Sequence, residues 1–250
     1  MLRNSYIHMT GIGKTVEKNI WNAGINSWDE AIENMAALPI SAAKKTAVEK
    51  GIEESKAHLN EGDYGYFSKT LPSAEHWRAY PEFCDEAAFV DIETTGLAPG
   101  SDTITVVGIY NRKEARTYVR GIDLDEIAGE LAKYKMLITF NGARFDLPFI
   151  KYEFPEIEFN QLHIDLMYPL KRIGYGGGLK NIEREMGIVR DDNVKDVDGW
   201  EAVRLWRRYR RGDEAALDTL LEYNRADIVN LETIIEKVYP DLVTNCKCKE

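Results

Sequence analysis

The chain reads Phe-Val-Asp-Ile-Glu-Thr-Thr-Gly-Leu over residues 89–97, and this stretch decides its fold. The largely apolar run 87–92 is long enough for a buried strand, and the carboxylates of Asp91 and Glu93 interrupt its end. Side chains two apart on a strand share a face, so the two acids project together. A buried acid is costly unless it is paired or binds a metal, so the stretch predicts a divalent-cation site. An edge strand with two solvated acids is the alternative.

Downstream of this stretch, strand patterns alternate with helix patterns. The strand patterns at 103–110 and 115–119 flank a polar turn and predict a hairpin. Two further strand patterns cover 136–140 and 162–166. The helix patterns cover residues 123–134, 145–153, 179–186, 199–211 and 213–238. This order predicts an α/β fold, with a mixed five-stranded sheet flanked by helices.

Two more acids occur in apolar surroundings, where a carboxylate is unfavourable unless it is paired or binds a metal. Asp146 follows the strand pattern at 136–140 and stands between Phe145 and Leu147. Asp227 lies four residues after Tyr223 in the last helix pattern, so the two share a largely apolar helix face. A metal held by acids from several elements explains both positions. Asp146 could also be a helix cap, and Tyr223 a core aromatic.

Three motifs together carry a family resemblance. Asp-Ile-Glu-Thr-Thr-Gly-Leu at 91–97, Asn-Gly-Ala-Arg-Phe-Asp-Leu-Pro at 141–148 and Tyr-x3-Asp at 223–227 occur in this order. The chain therefore resembles the DEDD exonuclease superfamily, whose fold is ribonuclease-H-like, and the tyrosine marks the DEDDy type. The tracts at 162–166 and 178–183 also suit the YprB-like exonucleases. The resemblance covers roughly residues 86–238.

The resemblance implies the chemistry of the site. Its metal ligands would be four carboxylates, those of Asp91, Glu93, Asp146 and Asp227. They would bind two divalent cations, of which one activates the attacking water and the other stabilises the leaving oxygen. Oxygen ligands favour Mg²⁺ or Mn²⁺ over zinc. Tyr223 would position the attacking water, because a tyrosine of ordinary pKa is a poor base at neutral pH.

The N-terminal residues 1–62 predict a small all-helical unit. Ser27 and Glu30 form a capping box, and Gly24 stands where a helix should end. The tract Gly11-Ile12-Gly13 before a helix pattern resembles a helix-hairpin-helix module, although few residues precede it. The resemblance implies binding to the DNA backbone, and a plain turn is the alternative. The residues that would contact phosphate are Gly11, Gly13, Lys14 and Thr15.

The remaining segments complete the expected domain organisation. Residues 63–86 form an aromatic-rich connector. Because proline and glycine discourage regular structure, we expect it to be irregular and to pack on the second domain. Residues 87–240 would form the ribonuclease-H-like domain, and residues 241–250 a charged tail.

Further residues are candidates for nucleic-acid contacts around the acids. Thr94 and Asn141 stand inside the two acidic motifs, whereas Arg207 and Arg208 belong to the most basic stretch of the chain. That stretch could hold substrate phosphates or form a solvated helix face. Asp165 and its neighbour His163 are expected to make structural hydrogen bonds, with metal support by Asp165 as the alternative.

Composition limits the class of protein. The formal net charge is −10, which does not favour a protein that coats nucleic acid by charge alone. Three cysteines without a spaced framework indicate a reducing, cytoplasmic location, and Cys246 and Cys248 are expected to be a plain part of the tail. No apolar run reaches the length of a membrane span. A monomer is favoured.

These observations predict a metal-dependent 3′–5′ exonuclease that acts on nucleic acid, with DNA favoured over RNA because of the hairpin. A structure-selective endonuclease of the same fold and an RNA exonuclease remain alternatives with the same chemistry. A non-catalytic nucleic-acid-binding scaffold is a third hypothesis, which the presence of all four acids and Tyr223 disfavours.

Overall fold

The computed structural model describes residues 1–248. Its centre is a mixed five-stranded sheet with the strand order β3-β2-β1-β4-β5. The strands are β1 (Ala87–Thr94), β2 (Ile104–Tyr110), β3 (Ala115–Val119), β4 (Met136–Thr139) and β5 (Leu162–Asp165). The central strand β1 pairs antiparallel with β2 and parallel with β4. The sheet and its flanking helices confirm the predicted α/β, ribonuclease-H-like fold class.

Helices cover both faces of the sheet. Within residues 1–248 the α-helices are α1 (Lys14–Asn22), α2 (Trp28–Glu33), α3 (Ala42–Asn60), α4 (Tyr64–Thr70), α5 (Tyr80–Phe83), α6 (Ile127–Leu131), α7 (Asp146–Glu153), α8 (Met167–Arg172), α9 (Leu179–Glu185), α10 (Gly199–Tyr209) and α11 (Glu214–Cys248). Short 3-10 helices occupy Leu2–Asn4, Met35–Ala37, Ser73–Ala79, Cys84–Glu86 and Leu124–Glu126. None of the helices in this part of the chain combines the length and the apolar composition that a membrane crossing requires.

Strand β1 separates two parts of the hydrophobic core. Val90 and Ile92 pack into the cluster that also contains residues of α6 and α7. Phe89 belongs to the cluster on the other face, together with residues of α11. Because side chains alternate, Asp91 and Glu93 lie on the same face as Phe89, under α11, as the sequence predicted. β1 therefore presents its acids to the last helix.

Helix α11 brings the last motif to the sheet. Tyr223 and Asp227 are buried together with Leu220 and Leu231, which confirms that the two predicted residues share a largely apolar helix face. The helix continues beyond the predicted end at residue 238 and through the first part of the predicted tail at 241–250. Positions 249 and 250 of that prediction lie outside the described residues. Proline inside a helix removes a hydrogen bond, but the helix continues past Pro240 because residues such as Leu242 are buried in the core.

The N-terminal region is helical, as predicted. The hydroxyl of Ser27 accepts a hydrogen bond from the Glu30 amide at 3.1 Å, and Gly24 follows the end of α1 with φ 82°. Gly11 has φ 77°, a left-handed conformation that glycine adopts without strain, and Gly13 is the N-cap of α1. The tract 11–13 thus forms a tight turn directly before a helix, with both glycines exposed and Ile12 buried.

The prediction of an irregular connector was wrong. Residues 63–86 form α4, the 3-10 helix Ser73–Ala79, α5 and a final 3-10 turn. Asp63 caps α4 through the Tyr66 amide at 3.2 Å. Pro81 stands in the first turn of α5, where a helix does not need the missing N–H. Proline here begins a helix rather than preventing one.

The connector also joins the N-terminal helices to the sheet in one core. Its aromatic residues Phe67, Trp77 and Phe83 are buried in a single hydrophobic cluster. The same cluster contains Ile52 of α3 and Phe89 of β1. The expectation that the connector packs on the sheet domain is therefore confirmed, and the core is continuous from the first helices to α11.

Candidate active site

Three carboxylates converge where β1 meets α11. Asp91 and Glu93 reach this point from β1, and Asp227 reaches it from α11. Each offers one oxygen atom, and these atoms all lie within 4.8 Å of one another. Glu93 and Asp227 are buried, and Asp91 is half-buried. Such a spacing allows one divalent cation to contact all three oxygen atoms.

The fourth predicted acid lies behind the backbone of β1, next to these three. Asp146 is the first residue of α7 and is 3% exposed. Its Oδ1 atom accepts a hydrogen bond at 3.2 Å from the amide of Ile92, the residue between Asp91 and Glu93. This bond fixes the Asp146 carboxylate beside β1. Asp146 lies outside the group of three within 4.8 Å, so its role as a metal ligand stays a prediction.

The electrostatics of the cluster favour bound cations. Burial raises the pKa of Asp91 and Glu93 well above the usual range, and the neighbouring acids raise both further. Burial likewise raises the pKa of Asp146, to about 7. Four carboxylates that repel one another in a poorly solvated space fit divalent cations, and oxygen-only donors fit Mg²⁺ or Mn²⁺.

Asn224 holds Asp91 and was not predicted from the sequence. Its Nδ2 donates to Oδ2 of Asp91 at 2.9 Å and to the Asp91 carbonyl at 3.3 Å. The helix can approach this closely because Gly108, which pairs with Asp91 in the sheet, has no side chain. A methyl group on Gly108 would overlap the Oδ1 atom of Asn224.

Arg190 approaches the cluster from the loop between α9 and α10, and it too was not predicted. Its guanidinium forms a two-pronged ion pair with the buried Glu183, at 2.6 and 2.7 Å, and also bonds to Asp227. Asn230 donates to Glu183 at 2.9 Å. Because Glu183 already neutralises Arg190, this pair adds no net positive charge to the acids.

Tyr223 stands one helical turn before Asp227, in the wall of the same site. Its ring is buried, with the Lys180 ammonium 5.0 Å and the Arg190 guanidinium 5.5 Å from the ring centre. Burial raises the pKa of Tyr223, and the charges of the acids raise it further. The phenol therefore stays protonated at neutral pH and can orient a water molecule, but it cannot serve as a general base.

The acids open into a cavity of about 450 Å³, which we call the acid cavity. Its lining includes Thr94 and Asn141, two of the predicted nucleic-acid contacts. The Thr94 hydroxyl is already bonded to the carbonyl of Gly96. At the rim stand the exposed apolar side chains of Leu97 and Trp200. A polar floor and an apolar rim suit a ligand with both phosphate and rings.

Other predicted contact residues lie away from this cavity. Arg207 and Arg208 occupy the last turn of α10, whereas its first residues line the acid cavity. Arg208 pairs with Asp213 at 2.7 Å, which matches the solvated-face alternative. The hairpin residues Gly11, Gly13, Lys14 and Thr15 are exposed and do not line the cavity either. Their binding roles stay predictions.

Asp165 and His163 make the structural hydrogen bonds expected of them. Asp165 accepts from the amides of Asn141 at 2.7 Å, Ala143 at 3.1 Å and Met167 at 3.3 Å. His163 contacts the Thr139 hydroxyl at 2.9 Å. Burial lowers the pKa of His163 to about 4, so the ring is neutral.

The chain is similar to one known family and to several solved structures. A family model for the RNase_H superfamily matches residues 88–239. No curated protein matches the sequence. Among solved structures, the family B DNA polymerase of the hyperthermophilic archaeon Pyrobaculum calidifontis matches 65% of this chain at 14% identity, with a TM-score of 0.50. The match covers 27% of the polymerase, so the chain spans about a quarter of that protein.

Two smaller solved proteins match with lower TM-scores. A nuclease in its apo form matches 71% of this chain and 81% of its own, at 21% identity and a TM-score of 0.47. Brucella melitensis NrnC with bound Mg²⁺ matches 65% of this chain and 78% of its own, at 22% identity and a TM-score of 0.43. Because both TM-scores are below 0.5, no property of this chain is inferred from these two matches.

Proposed function

The chain belongs to the RNase_H superfamily, and we propose that it is a metal-dependent nuclease that removes nucleotides from 3′ ends of DNA. One observation carries this proposal. Three carboxylates from β1 and α11 meet within 4.8 Å, and a fourth buried acid, Asp146, stands beside them. A structural protein gains nothing from burying so many acids together, since their mutual repulsion lowers its stability.

The four acids would hold the cations, and the surrounding side chains would orient the acids. Asn224 fixes Asp91, the Ile92 amide fixes Asp146, and Arg190 fixes Asp227. When bound, two divalent cations supply Lewis-acid stabilisation of the charge that develops during phosphodiester hydrolysis. The Tyr223 hydroxyl would hold the attacking water in line with the scissile bond.

The shape of the acid cavity supports an exonuclease rather than an endonuclease. At about 450 Å³ it suits a single nucleotide rather than a duplex. Leu97 is 71% exposed and Trp200 is 62% exposed at its rim. An unpaired terminal base can stack on such side chains, whereas a base inside a duplex cannot. The preferred substrate would therefore be an unpaired end.

DNA is proposed over RNA because of the N-terminal turn. Gly11 and Gly13 are exposed, and the space around both is open, so the backbone can approach a phosphate closely. The amides at the start of α1 favour an anion there. Such contacts track a duplex backbone without reading its sequence, which would hold the protein near DNA ends.

The decisive experiment uses end-labelled oligonucleotides. Single-stranded and duplex DNA and RNA, labelled at either end, are incubated with Mg²⁺, Mn²⁺ or EDTA. We expect stepwise shortening from the 3′ end with Mg²⁺ or Mn²⁺ and none with EDTA. Cleavage of a closed circular single strand would show an endonuclease instead. No cleavage of any substrate with any cation would support the scaffold hypothesis.

A further inference from the structure

A second cavity lies on the other side of the loop that follows β4. It has a volume of about 560 Å³ and opens between the 3-10 helix Ser73–Ala79, the end of β5 and α8. Trp77, Tyr168 and Lys171 contribute to its wall. None of these residues takes part in the hydrolysis proposed above. We call this space the upstream cavity.

One short loop separates the two cavities. Asn141 and Phe145 line the acid cavity, and Ala143 lines the upstream cavity. Residues two apart in an extended chain are at most about 7 Å from each other, so the cavities adjoin. Asp165 fixes the loop by accepting the amides of Asn141 and Ala143. The wall between the cavities is therefore rigid.

The upstream cavity has the chemistry of a nucleotide site. Tyr168 is 36% exposed and offers a ring face for stacking. Lys171 and Arg144 are exposed cations beside it, on α8 and on the dividing loop. The Nε1 atom of Trp77 has no hydrogen-bond partner among residues 1–248. An aromatic face with nearby cations suits a base and its phosphate.

The one carboxylate in this wall does not oppose an anion strongly. Asp165 lines the cavity, but its oxygens already accept hydrogen bonds from three backbone amides. Those amides compensate its charge locally. Arg172, which also lines the cavity, bonds to Glu75 and to the carbonyl of Ala74. The charged groups of this lining are thus either compensated by hydrogen bonds and ion pairs, as for Asp165 and Arg172, or positive, as for Lys171.

We propose that the upstream cavity binds the single strand behind the nucleotide that occupies the acid cavity. This inference rests on the proposed function, because it takes that nucleotide to be the 3′ end. A dinucleotide would fill the acid cavity and its rim only. A longer strand would cross the loop at Asn141–Phe145 and place a base against Tyr168, with its phosphate near Lys171. Substrate length would then control affinity.

The test measures binding by fluorescence anisotropy in EDTA, where no hydrolysis occurs. The probes are 5′-fluorescein oligothymidylates of two, four, six and eight nucleotides. The variants are Tyr168→Ala and Lys171→Glu. The matched control is Lys113→Glu, an exposed lysine in the β2–β3 turn at the opposite end of the sheet. The melting temperature of each variant establishes that it is folded.

We expect wild-type affinity to rise with length above two nucleotides. Tyr168→Ala and Lys171→Glu should each weaken hexamer binding roughly tenfold, a typical value for a lost base stack or phosphate contact, and leave dinucleotide binding unchanged. Lys113→Glu should bind every length as the wild type does. Equal losses at all lengths, no loss at all, or the same loss with Lys113→Glu would overturn the inference.

A second readout separates this inference from the proposed function. Hydrolysis of the dinucleotide and the hexamer is measured in Mg²⁺ for the same proteins. The variants should raise KM for the hexamer and leave kcat, and both constants for the dinucleotide, unchanged. If the wild type hydrolyses neither substrate, the proposed function fails. The length dependence in EDTA then still decides whether the upstream cavity binds a strand.

Discussion

Charged side chains are buried in two regions of this molecule. In one region positive and negative charges are paired, and in the other the acids are in excess. Around Arg78, which is 1% exposed, every charge has a partner. Its guanidinium bonds to Glu17 and to Glu75 at 2.9 Å each. Glu75 in turn pairs with Lys14 at 3.0 Å and with Arg172 at 3.2 Å. Three cations and two acids are joined in one network.

In the acid cavity the carboxylates outnumber the cations that reach them. Asp227 meets Arg190, but Asp91 and Glu93 have no ion pair within the described part of the chain. Ion pairs with complete hydrogen bonding can be kept for structure, whereas unpaired buried acids lower stability. A matched network of buried charges therefore stabilises the fold, whereas an unmatched group of buried acids is suited to bind a cation.

Arg78 is expected to show the largest effect on stability. Arg78→Met leaves Glu17 and Glu75 buried without their main partner, which typically costs about 3–5 kcal/mol. Urea unfolding measures this loss. Arg112→Met is the matched control, because Arg112 pairs with Glu232 and Glu236 at a partly exposed site, where the expected loss is about 1 kcal/mol or less. Equal losses of unfolding free energy for both variants would show that the buried network of Arg78 stabilises the fold no more than the partly exposed pairs of Arg112.

Removing a charge from the acid cavity should lower activity and leave stability unchanged or raised, in contrast to Arg78→Met. Asp91→Asn or Asp227→Asn should lower kcat by at least roughly a hundredfold in Mg²⁺, because a cation loses a charged ligand. The melting temperature in EDTA should hold or rise, since one repelling charge is gone. Activity within tenfold of the wild type would contradict the assignment of the acids. A stability loss like that of Arg78→Met would show that they are structural.

The two regions should also differ in their response to pH. Folding raises the pKa of Asp91, Glu93 and Asp146, the last to about 7. At these carboxyl groups the folded state therefore binds more protons than the unfolded state, and their contribution to stability should fall as the pH rises from about 4 to above 7. Melting in EDTA between pH 5 and 8 measures this fall, and saturating Mg²⁺ should reduce it. The buried His8 and His163 have lowered pKa values and lose stability towards acid pH, so the contribution of the acids is read as the difference between the wild type and Asp91→Asn. Identical pH profiles for these two proteins would contradict the raised pKa of Asp91.

Glu75, in the network around Arg78, should contribute nothing to that profile. Burial acts to raise the pKa of Glu75, but the charges of Arg78, Arg172 and Lys14 outweigh it and leave the pKa lowered. A carboxyl group with a lowered pKa adds stability above its unfolded value and loses that stability at acid pH. The contribution of Glu75 is therefore constant between pH 5 and 8. Its loss should appear only below about pH 4.5.

Arg190 links its ion pair with Glu183 to Asp227, one of the acids of the acid cavity. Lysine cannot reproduce the two-pronged contact with Glu183, so Arg190→Lys should leave Asp227 poorly oriented. We expect about tenfold weaker Mn²⁺ binding by calorimetry and a similar fall in kcat, as for other residues that orient metal ligands. Glu183→Gln is the partner variant and should have the same effects. Unchanged Mn²⁺ affinity in both variants would limit the pair to a structural role.

Local sequence patterns predicted much of the fold and the acidic motifs. The alternation in β1 placed Asp91 and Glu93 on one face, and a four-residue spacing placed Tyr223 beside Asp227. Contacts made by long loops could not be found this way. Arg190 lies in a polar stretch, and only the folded loop brings it to Asp227. Asn224 is next to a predicted residue, but its contact with Asp91 depends on how closely α11 approaches Gly108.

The position of the N-terminal unit also depended on tertiary contacts. The sequence predicted a small all-helical unit at 1–62 and gave no sign of how it packs on the sheet domain. In the structure Glu17 of that unit is a main partner of Arg78, and Ile52 lies in the same core cluster as Phe89. Truncation would therefore remove Glu17 from the network of Arg78 and open the core. The function of the hairpin must be tested by substitution rather than by deletion.

The smallest expected effect concerns this hairpin, which borders the matched network through the pair between Lys14 and Glu75. Gly13 has an ordinary backbone conformation, and a side chain there would meet no atom within 4 Å, so Gly13→Val is compatible with the fold. Gly11 is less suitable, because its φ of 77° would strain a valine. Valine at position 13 should keep a phosphate away from the amides at the start of α1.

We expect Gly13→Val to weaken binding to long duplex DNA regardless of sequence. The slope of log Kd against log salt concentration should decrease by about 1, the value for one lost phosphate contact. Hydrolysis of a short saturating strand should not change, because the acid cavity is untouched. Gly129→Val, at an exposed position of α6 with equal room, is the matched control. If both variants show the wild-type duplex affinity and salt slope, the turn at 11–13 serves only to join α1 to the core. The pair between Lys14 and Glu75 beside the turn would then only stabilise the fold, as Arg78 does.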